Sequence, residues 1–390
     1  MREVYVVAAR RTAIAKQGGA LRNLPPESIA SVVLRAVVQD VQLSVNDIEE
    51  VILGNVVGPG GNIARLSLLT AGFASSIPGV TVDLQCGSGL QAIHQAIYEI
   101  RCGQRDIVIA GGVESSSRAP WKIEKPFDLY RGTGPTFFSK ARFSPEELGD
   151  PGMGLAAENI AQRYGVSRQE QDEFALQSHQ KAVAARRVGS FTEEITPIIL
   201  SDGVVFAIDE GPREHTNQEL LANLSPAFLE HGTVTAGNSC AINDGAAVVI
   251  VAAKDACMRL GLHPVLRYVD SQLVGVDPQY PGMGPVPAVR SLLERCKISI
   301  DDMDMIEINE AFAAQVLACA RELAITPQQL NVCGGALAFG HPYGASGAIL
   351  LTRIFHELPR RQGRFALATL GIGGGLGIAS VWERVAGDEN

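Results

Sequence analysis

The chain uses one structural unit twice, and this duplication constrains its fold more than any other feature of its 390 residues. Segment 43–53, Leu-Ser-Val-Asn-Asp-Ile-Glu-Glu-Val-Ile-Leu, lines up without gaps on 298–308, Ile-Ser-Ile-Asp-Asp-Met-Asp-Met-Ile-Glu-Ile. Each reads as a short polar turn followed by a strand. Further on, Ser88-Gly89 opens a helix-patterned run leading to a strand at 107–110, and Ser346-Gly347 opens one leading to a strand at 365–368. The step from the serine to the first strand residue is 19 in both cases. Apolar strands alternating with amphipathic helices predict parallel sheets covered on both faces. The chain also exceeds the ~250–300 residues at which a single core stops growing. Two packed halves therefore predict a layered α/β/α/β/α architecture. The N-terminal half is expected over 1–113 with 242–264, the C-terminal half over 265–390, and 114–241, which does not repeat, as an inserted loop domain.

Two motifs sit at equivalent helix starts of the two halves. Cys86 follows an apolar run and opens the turn Cys86-Gly87-Ser88-Gly89 before a helix-patterned segment from Leu90 to about Ile100. The positive end of a helix dipole favours a thiolate, the reactive form of cysteine. In the other half stands Gly340-His341-Pro342-Tyr343-Gly344-Ala345-Ser346-Gly347. A histidine there can deprotonate a thiol and then hydrogen-bond a thioester oxygen. Pseudo-twofold packing predicts that the two helix starts share one site.

With Asn309-Glu310-Ala311-Phe312 and Gly371-Ile372-Gly373-Gly374-Gly375, these motifs resemble the thiolase family in order and spacing, over the whole chain. The resemblance implies a five-layered fold and a C-acyltransferase acting on acetyl-CoA or a related thioester. It implies that Cys86 takes the acyl group, that His341 activates the thiol, and that His341 shares an oxyanion hole with a water held by Asn309. The amides of Cys86 and Gly373 would form a second hole. Met153, Phe228 and Phe312 match pantetheine-lining positions, and Ser239 and Cys240 fall where the family contacts coenzyme A. The insertion becomes the loop domain that cradles coenzyme A, and the chain becomes a homodimer or homotetramer with N-terminal halves packed across a twofold axis. No metal and no prosthetic group is implied; the coenzyme A thioester is the substrate.

Three positions depart from the family pattern. The second cysteine, which moves the α-proton in carbon–carbon chemistry, is replaced by Gly371. A positioned general base contributes about 10²–10⁴ in rate, so the carbon–carbon step is expected to be slow while acylation survives. Cys240 and Cys333 are candidate substitutes. Gly152 replaces a histidine of short-chain members, and Cys240 replaces a serine.

Composition narrows the alternatives. Apolar residues make up 46% and charged residues 19%, enough for a large core, and the net charge of −9 argues against nucleic acid or an anionic membrane as partner. One stretch runs the other way: Arg118, Lys122, Lys125, Arg131, Lys140 and Arg142 face only Glu124 and Asp128, a patch suited to the phosphates of coenzyme A or simply a solvated loop face. Seven cysteines with no C-x-x-C pair indicate neither a zinc site nor disulfides and predict a reduced, cytoplasmic protein. No apolar run approaches ~18 residues, and neither end carries a recognisable targeting signal. Gly87-Ser88-Gly89-Leu90-Gln91-Ala92 also matches the G-x-G-x-x-A dinucleotide fingerprint, but no acidic residue is clearly placed ~20 positions on, so a nicotinamide dehydrogenase is a weak alternative. Gly371 supports a third reading, an acyl-CoA-binding protein with little or no turnover.

Overall fold

The computed structural model describes residues 1–126, 134–137 and 140–386. Nine long strands form the frame: β1 Val4–Thr12, β2 Glu50–Gly54, β3 Gly79–Val82, β4 Ile107–Ser115, β5 Asn243–Ala253, β6 Leu266–Gly275, β7 Met305–Ile308, β8 Phe365–Ile372 and β9 Leu376–Arg384. They run in the spatial order β7-β8-β9-β6-β1-β5-β4-β2-β3. Only two residue pairs, Tyr5 with Arg267 and Val6 with Leu266, join β1 to β6, so two similar sheets meet edge to edge at that seam.

The repeat is real in three dimensions. In each half a one-turn 3-10 helix, Val45–Asp47 or Ile300–Asp302, precedes a strand, β2 or β7, that pairs parallel with the strand leading out of the central helix, β4 or β8. The sheets are mixed rather than parallel as the sequence pattern predicts. β5 runs antiparallel to both β1 and β4, and β9 runs antiparallel to both β6 and β8. β5 and β9 are as apolar as parallel strands because both sheet faces are covered, and burial rather than strand direction sets that pattern.

Two helices fill the middle layer, α1 Ser88–Arg101 from the first half and α2 Tyr343–Arg360 from the second. Leu90, Ile93, Ile97 and Ile100 recur at helical spacing on α1, and all are fully buried. Each such side chain contributes about 1.5–3 kcal/mol of transfer free energy. The helices touch backbone to backbone. A Cβ added at Gly89 would lie 2.7 Å from Gly344 O, and one at Gly347 would lie 2.4 Å from the Leu90 amide nitrogen. Gly87 and Gly89 of the dinucleotide-like match are therefore packed against protein, a Cβ added at the former falling 2.4 Å from Ile372, with no room left for a pyrophosphate.

The insertion carries α3 Met153–Tyr164 and α4 Arg168–Arg187, the latter started by a capping box between Ser167 and Glu170. A buried ion network ties the segment that follows α4 to the frame. Arg11 bonds Glu194 and Asp209, each at 2.7 Å, and Arg353 bonds Glu194 at 2.9 Å. Charges this deep are tolerated because each is paired, and removing one partner would strand the others. Among the described residues no helix is long and apolar enough to cross a membrane, and no group of three or more candidate ligands is placed to hold a metal ion.

Candidate active site

Cys86 sits two residues before α1 on a turn held under strain. Gln85 adopts φ +48°, a left-handed conformation that a non-glycine residue seldom takes. Neighbouring bonds over-determine it: Leu84 N–H donates to Ser88 Oγ at 2.8 Å, Ser88 Oγ–H donates to Gln85 O at 2.6 Å, and Gln85 N–H donates to Asp83 Oδ1 at 2.9 Å. The turn aims the thiol at the backbone amide of Gly373, in the glycine-rich connection between β8 and β9.

His341 enters from the other half, just ahead of α2, and its ring is fixed by one contact on each nitrogen. Nδ1 lies 2.6 Å from Ser346 Oγ, whose hydroxyl proton goes to Pro342 O at 3.1 Å. Ser346 therefore accepts from Nδ1–H, which leaves the lone pair on Nε2. Asn309 Nδ2 lies 3.5 Å from that nitrogen. Asn309 itself extends β7, its backbone N–H donating to Thr369 O at 3.1 Å, and the adjacent buried Glu310 anchors the loop through Ser178, Asn331 and the amide of Leu337.

Burial sets the electrostatics. It pushes the Cys86 thiol up to about 11, partly countered by the amides of Gly373 and Cys86, and it pushes His341 down to about 4. The helix dipole favours the thiolate and desolvation opposes it: burial favours a neutral thiol and a neutral imidazole. No direct hydrogen bond joins them. Such a pair moves its proton as the thiol attacks, when a substrate tightens the geometry.

Cys86, Gly373, Met153 and Tyr343 open onto a cavity of about 830 Å³, within the range of small-molecule sites. Lys122, Lys140 and Arg142 from the basic stretch line it, with Lys140 paired to Asp150 at 2.7 Å. Arg131 and Asp128 lie outside the described residues. His341 and Asn309 are almost fully buried and do not line the cavity. Phe228, Ser239, Cys240 and Phe312 do not line it either. They form a neighbouring wall, where the rings of Phe228 and Phe312 meet edge-on at 6.2 Å, Ser239 bridges Phe312, and Cys240 N–H donates to Ala311 O at 3.0 Å. Met153 links the two sets, lining both the large cavity and a pocket of about 10 Å³ shared with Phe312 and Gly371.

The family models for the thiolase N-terminal and C-terminal domains match residues 4–255 and 262–384. The chain belongs to the thiolase family. It is 47% identical over 384 residues to a Staphylococcus aureus (strain MRSA252) protein named "Putative acetyl-CoA C-acetyltransferase VraB", covering 98% of this chain and 100% of that one. Among solved structures, the Bacillus anthracis acetyl-CoA acetyltransferase superposes with a TM-score of 0.94 at 39% identity, covering 99% of both chains. Human mitochondrial 3-ketoacyl-CoA thiolase in complex with CoA also gives 0.94, at 36% identity and 99% and 98% coverage.

Within this thiolase frame Gly371 has an unforeseen constraint. Its φ is not positive; Gly374 and Gly375, at +89° and +84°, are the glycines of the run that take the conformation other residues seldom adopt. A Cβ at Gly371 would instead lie 3.0 Å from Gly282 Cα and 3.1 Å from Pro281 O. Cys333 belongs to the buried core and lines neither pocket, so the structure gives it no role as a proton carrier. Sequence reasoning misses Ser346, Gln85 and Glu114. The Glu114 carboxylate accepts from the amides of Val56, Val57 and Gly344, tying the start of α2 to the first half. Burial raises it to about 7. The repeat alignment already pairs Ser346 with Ser88 and was the one signal available.

Proposed function

We propose that this thiolase-family chain forms an acyl-enzyme on Cys86 from a coenzyme A thioester, acetyl-CoA being the simplest donor, and passes the acyl group to coenzyme A or a second acyl-CoA. The observation that carries this reading is the convergence of Cys86 with the Gly373 amide on a cavity rimmed by Lys122, Lys140 and Arg142. In acylation the Cys86 sulfur bonds the acyl carbon, the carbon–sulfur bond to coenzyme A breaks, and the thiol proton passes through His341 Nε2 to the leaving thiolate. The amides of Cys86 and Gly373 form one oxyanion hole, which holds the acyl oxygen, and His341 with a water held by Asn309 forms the other. One removed oxyanion donor costs about 10²–10³ in rate, which sets the weight of each contact. Met153, Phe228, Ser239, Cys240 and Phe312 guide the pantetheine arm and acyl group. No metal or prosthetic group takes part.

Carbon–carbon chemistry also needs a proton carrier at the α-carbon, and Gly371 supplies none. Acylation is therefore retained and condensation slowed by about 10²–10⁴. Gly371 equally favours a second reading, an acyl-CoA-binding protein that labels without turnover. The chain acts as a homodimer or homotetramer. In support, β3 ends the sheet with half-buried residues, and Leu66 and Leu69 are exposed on the neighbouring helix Ile63–Thr70.

The test is peptide mapping by mass spectrometry after brief exposure to acetyl-CoA and longer acyl-CoAs. Acyl groups on Cys86, absent from Cys86→Ala, are expected, and the fastest donor defines chain length. Acyl groups on Cys240 or Cys333 with Cys86 free contradict the reading. Stable labelling without release to coenzyme A or a second thioester selects the binding protein.

A further inference from the structure

We propose that a small cavity between β7 and α2 binds an ordered water, and that Glu307, through this water, is a positioning residue that fixes the Ser346–His341 pair. The positioning role rests on the acyl-transfer reading of the active site; the water site does not.

Glu307 and Asn309 stand two residues apart on β7 and its extension, so their side chains leave the strand on the same face. Ser346, Leu350 and Arg353 recur at helical spacing along one side of α2. These five residues help to line one cavity of about 30 Å³. A water needs roughly 10–15 Å³ and two to four polar partners, and the cavity offers both. Glu307 is only 2% exposed, and its Oε1 has no hydrogen-bond partner among the described residues, a cost that a bound water removes. No residue of this cavity lines the large one beside Cys86, so its water is distinct from the one assigned to the oxyanion hole. At Ser346 the water completes a set of bonds. Ser346 Oγ accepts from His341 Nδ1–H and gives its own proton to Pro342 O, which leaves one lone pair. A water that donates one proton to that lone pair and the other to Glu307 Oε1 satisfies both oxygens. The reverse tautomer would then require Ser346 to abandon Pro342 O. Glu307 plays this part as a neutral acid: burial pushes its carboxyl up to about 8, against Arg353 and Lys181 and with Glu310 and Glu194. It braces the imidazole without charging it.

A crystal structure of the wild type near atomic resolution tests the site. A water within hydrogen-bond distance of Glu307 Oε1 and Ser346 Oγ is expected; its absence, or Oε1 bonded to a protein group instead, overturns the proposal. Two variants test the role. Glu307→Gln keeps the acceptor and stays neutral, so acetylation of Cys86 by acetyl-CoA is expected to remain within about twofold of wild type. Glu307→Met keeps the unbranched shape and loses both oxygens. Acetylation is expected to slow about tenfold, while the denaturant unfolding midpoint stays or rises because no buried acceptor is left unpaired. On a Ser346→Ala background Glu307→Met is expected to add less than about twofold, since the brace acts through that hydroxyl. Equal losses in the Gln and Met variants, no loss in the Met variant, or a full tenfold loss on top of Ser346→Ala overturns the role. A Met variant that is slower and also unfolds more easily marks a packing effect and overturns it too. Wild type that no acyl-CoA acylates contradicts the acyl-transfer reading, and the positioning role falls with it, whereas the water site is still decided by the crystal structure.

Discussion

The two halves place a serine at the same position before the same strand, yet Ser88 and Ser346 do different work. In the first half the helix begins at Ser88, two residues after Cys86, and the hydroxyl clamps the strained turn that carries the thiol. In the second half the helix begins at Tyr343, so Ser346 lies one turn inside it and reaches back to His341 Nδ1. A three-residue difference in where the helix starts turns one serine from a backbone brace into a ring-orienting partner. Duplication thus supplied two equivalent helix starts, one entered through Cys86 and the other through His341.

This contrast orders the expected effects of substitution. The largest is on the base side: His341→Ala is expected to lower the rate of Cys86 acylation by about 10²–10⁴ while circular dichroism stays native, since the backbone bonds of the turn to Ala241 and Asn243 do not depend on the ring. Stopped acyl-enzyme mass measurements check it, and an unchanged rate removes His341 from the chemistry. Ser346→Ala comes next, with about a tenfold loss of acylation because the tautomer is no longer fixed. Ser88→Ala is expected to act chiefly on stability, by about 1–2 kcal/mol in denaturant unfolding, through the orphaned Leu84 amide. If the serine effects exchange places, the assignment of brace and ring partner is wrong. Gly371→Cys brings its Cβ to 3.0 Å from the Gly282 backbone, so a stability loss of about 1–3 kcal/mol is expected in the same assay. A gain in acetoacetyl-CoA cleavage without a change in acetylation by acetyl-CoA supports the missing proton carrier. The smallest effect is of pH. With His341 pushed down to about 4, the base is already neutral at pH 7, so acylation is expected to be flat between about pH 6 and 8 and to fall only as pH approaches the folded value.

Much of the fold was legible because repeats and burial leave plain marks. The gapless match of 43–53 to 298–308 located both strand entries, and the 19-residue spacings located both central helices. Strand direction was not legible, because β5 and β9 are covered on both faces and read like parallel strands. At the site, Cys86, His341, Asn309 and Gly373 could be chosen from motifs; the structure pairs Cys86 with the Gly373 amide and His341 with Asn309, and only the first pair lines the large cavity. Their protonation could not be chosen: the helix dipole is visible in sequence, whereas the desolvation that overrides it depends on the packed interior. Gln85 and Glu114 escaped for a related reason. A left-handed φ and a carboxylate bridging two halves are both products of tertiary placement.

The central claim is that the two helix starts meet as a neutral thiol and a neutral imidazole, with the proton moving only when an acyl group arrives. The direct test is an ultraviolet difference titration of thiolate absorbance between wild type and Cys86→Ser, from acid to strongly alkaline pH. With burial holding Cys86 near 11, the difference signal is expected to stay flat through neutrality and to rise only above about pH 10. A thiolate signal from Cys86 already present at pH 7, lost on acidification together with a protonated His341, contradicts the account.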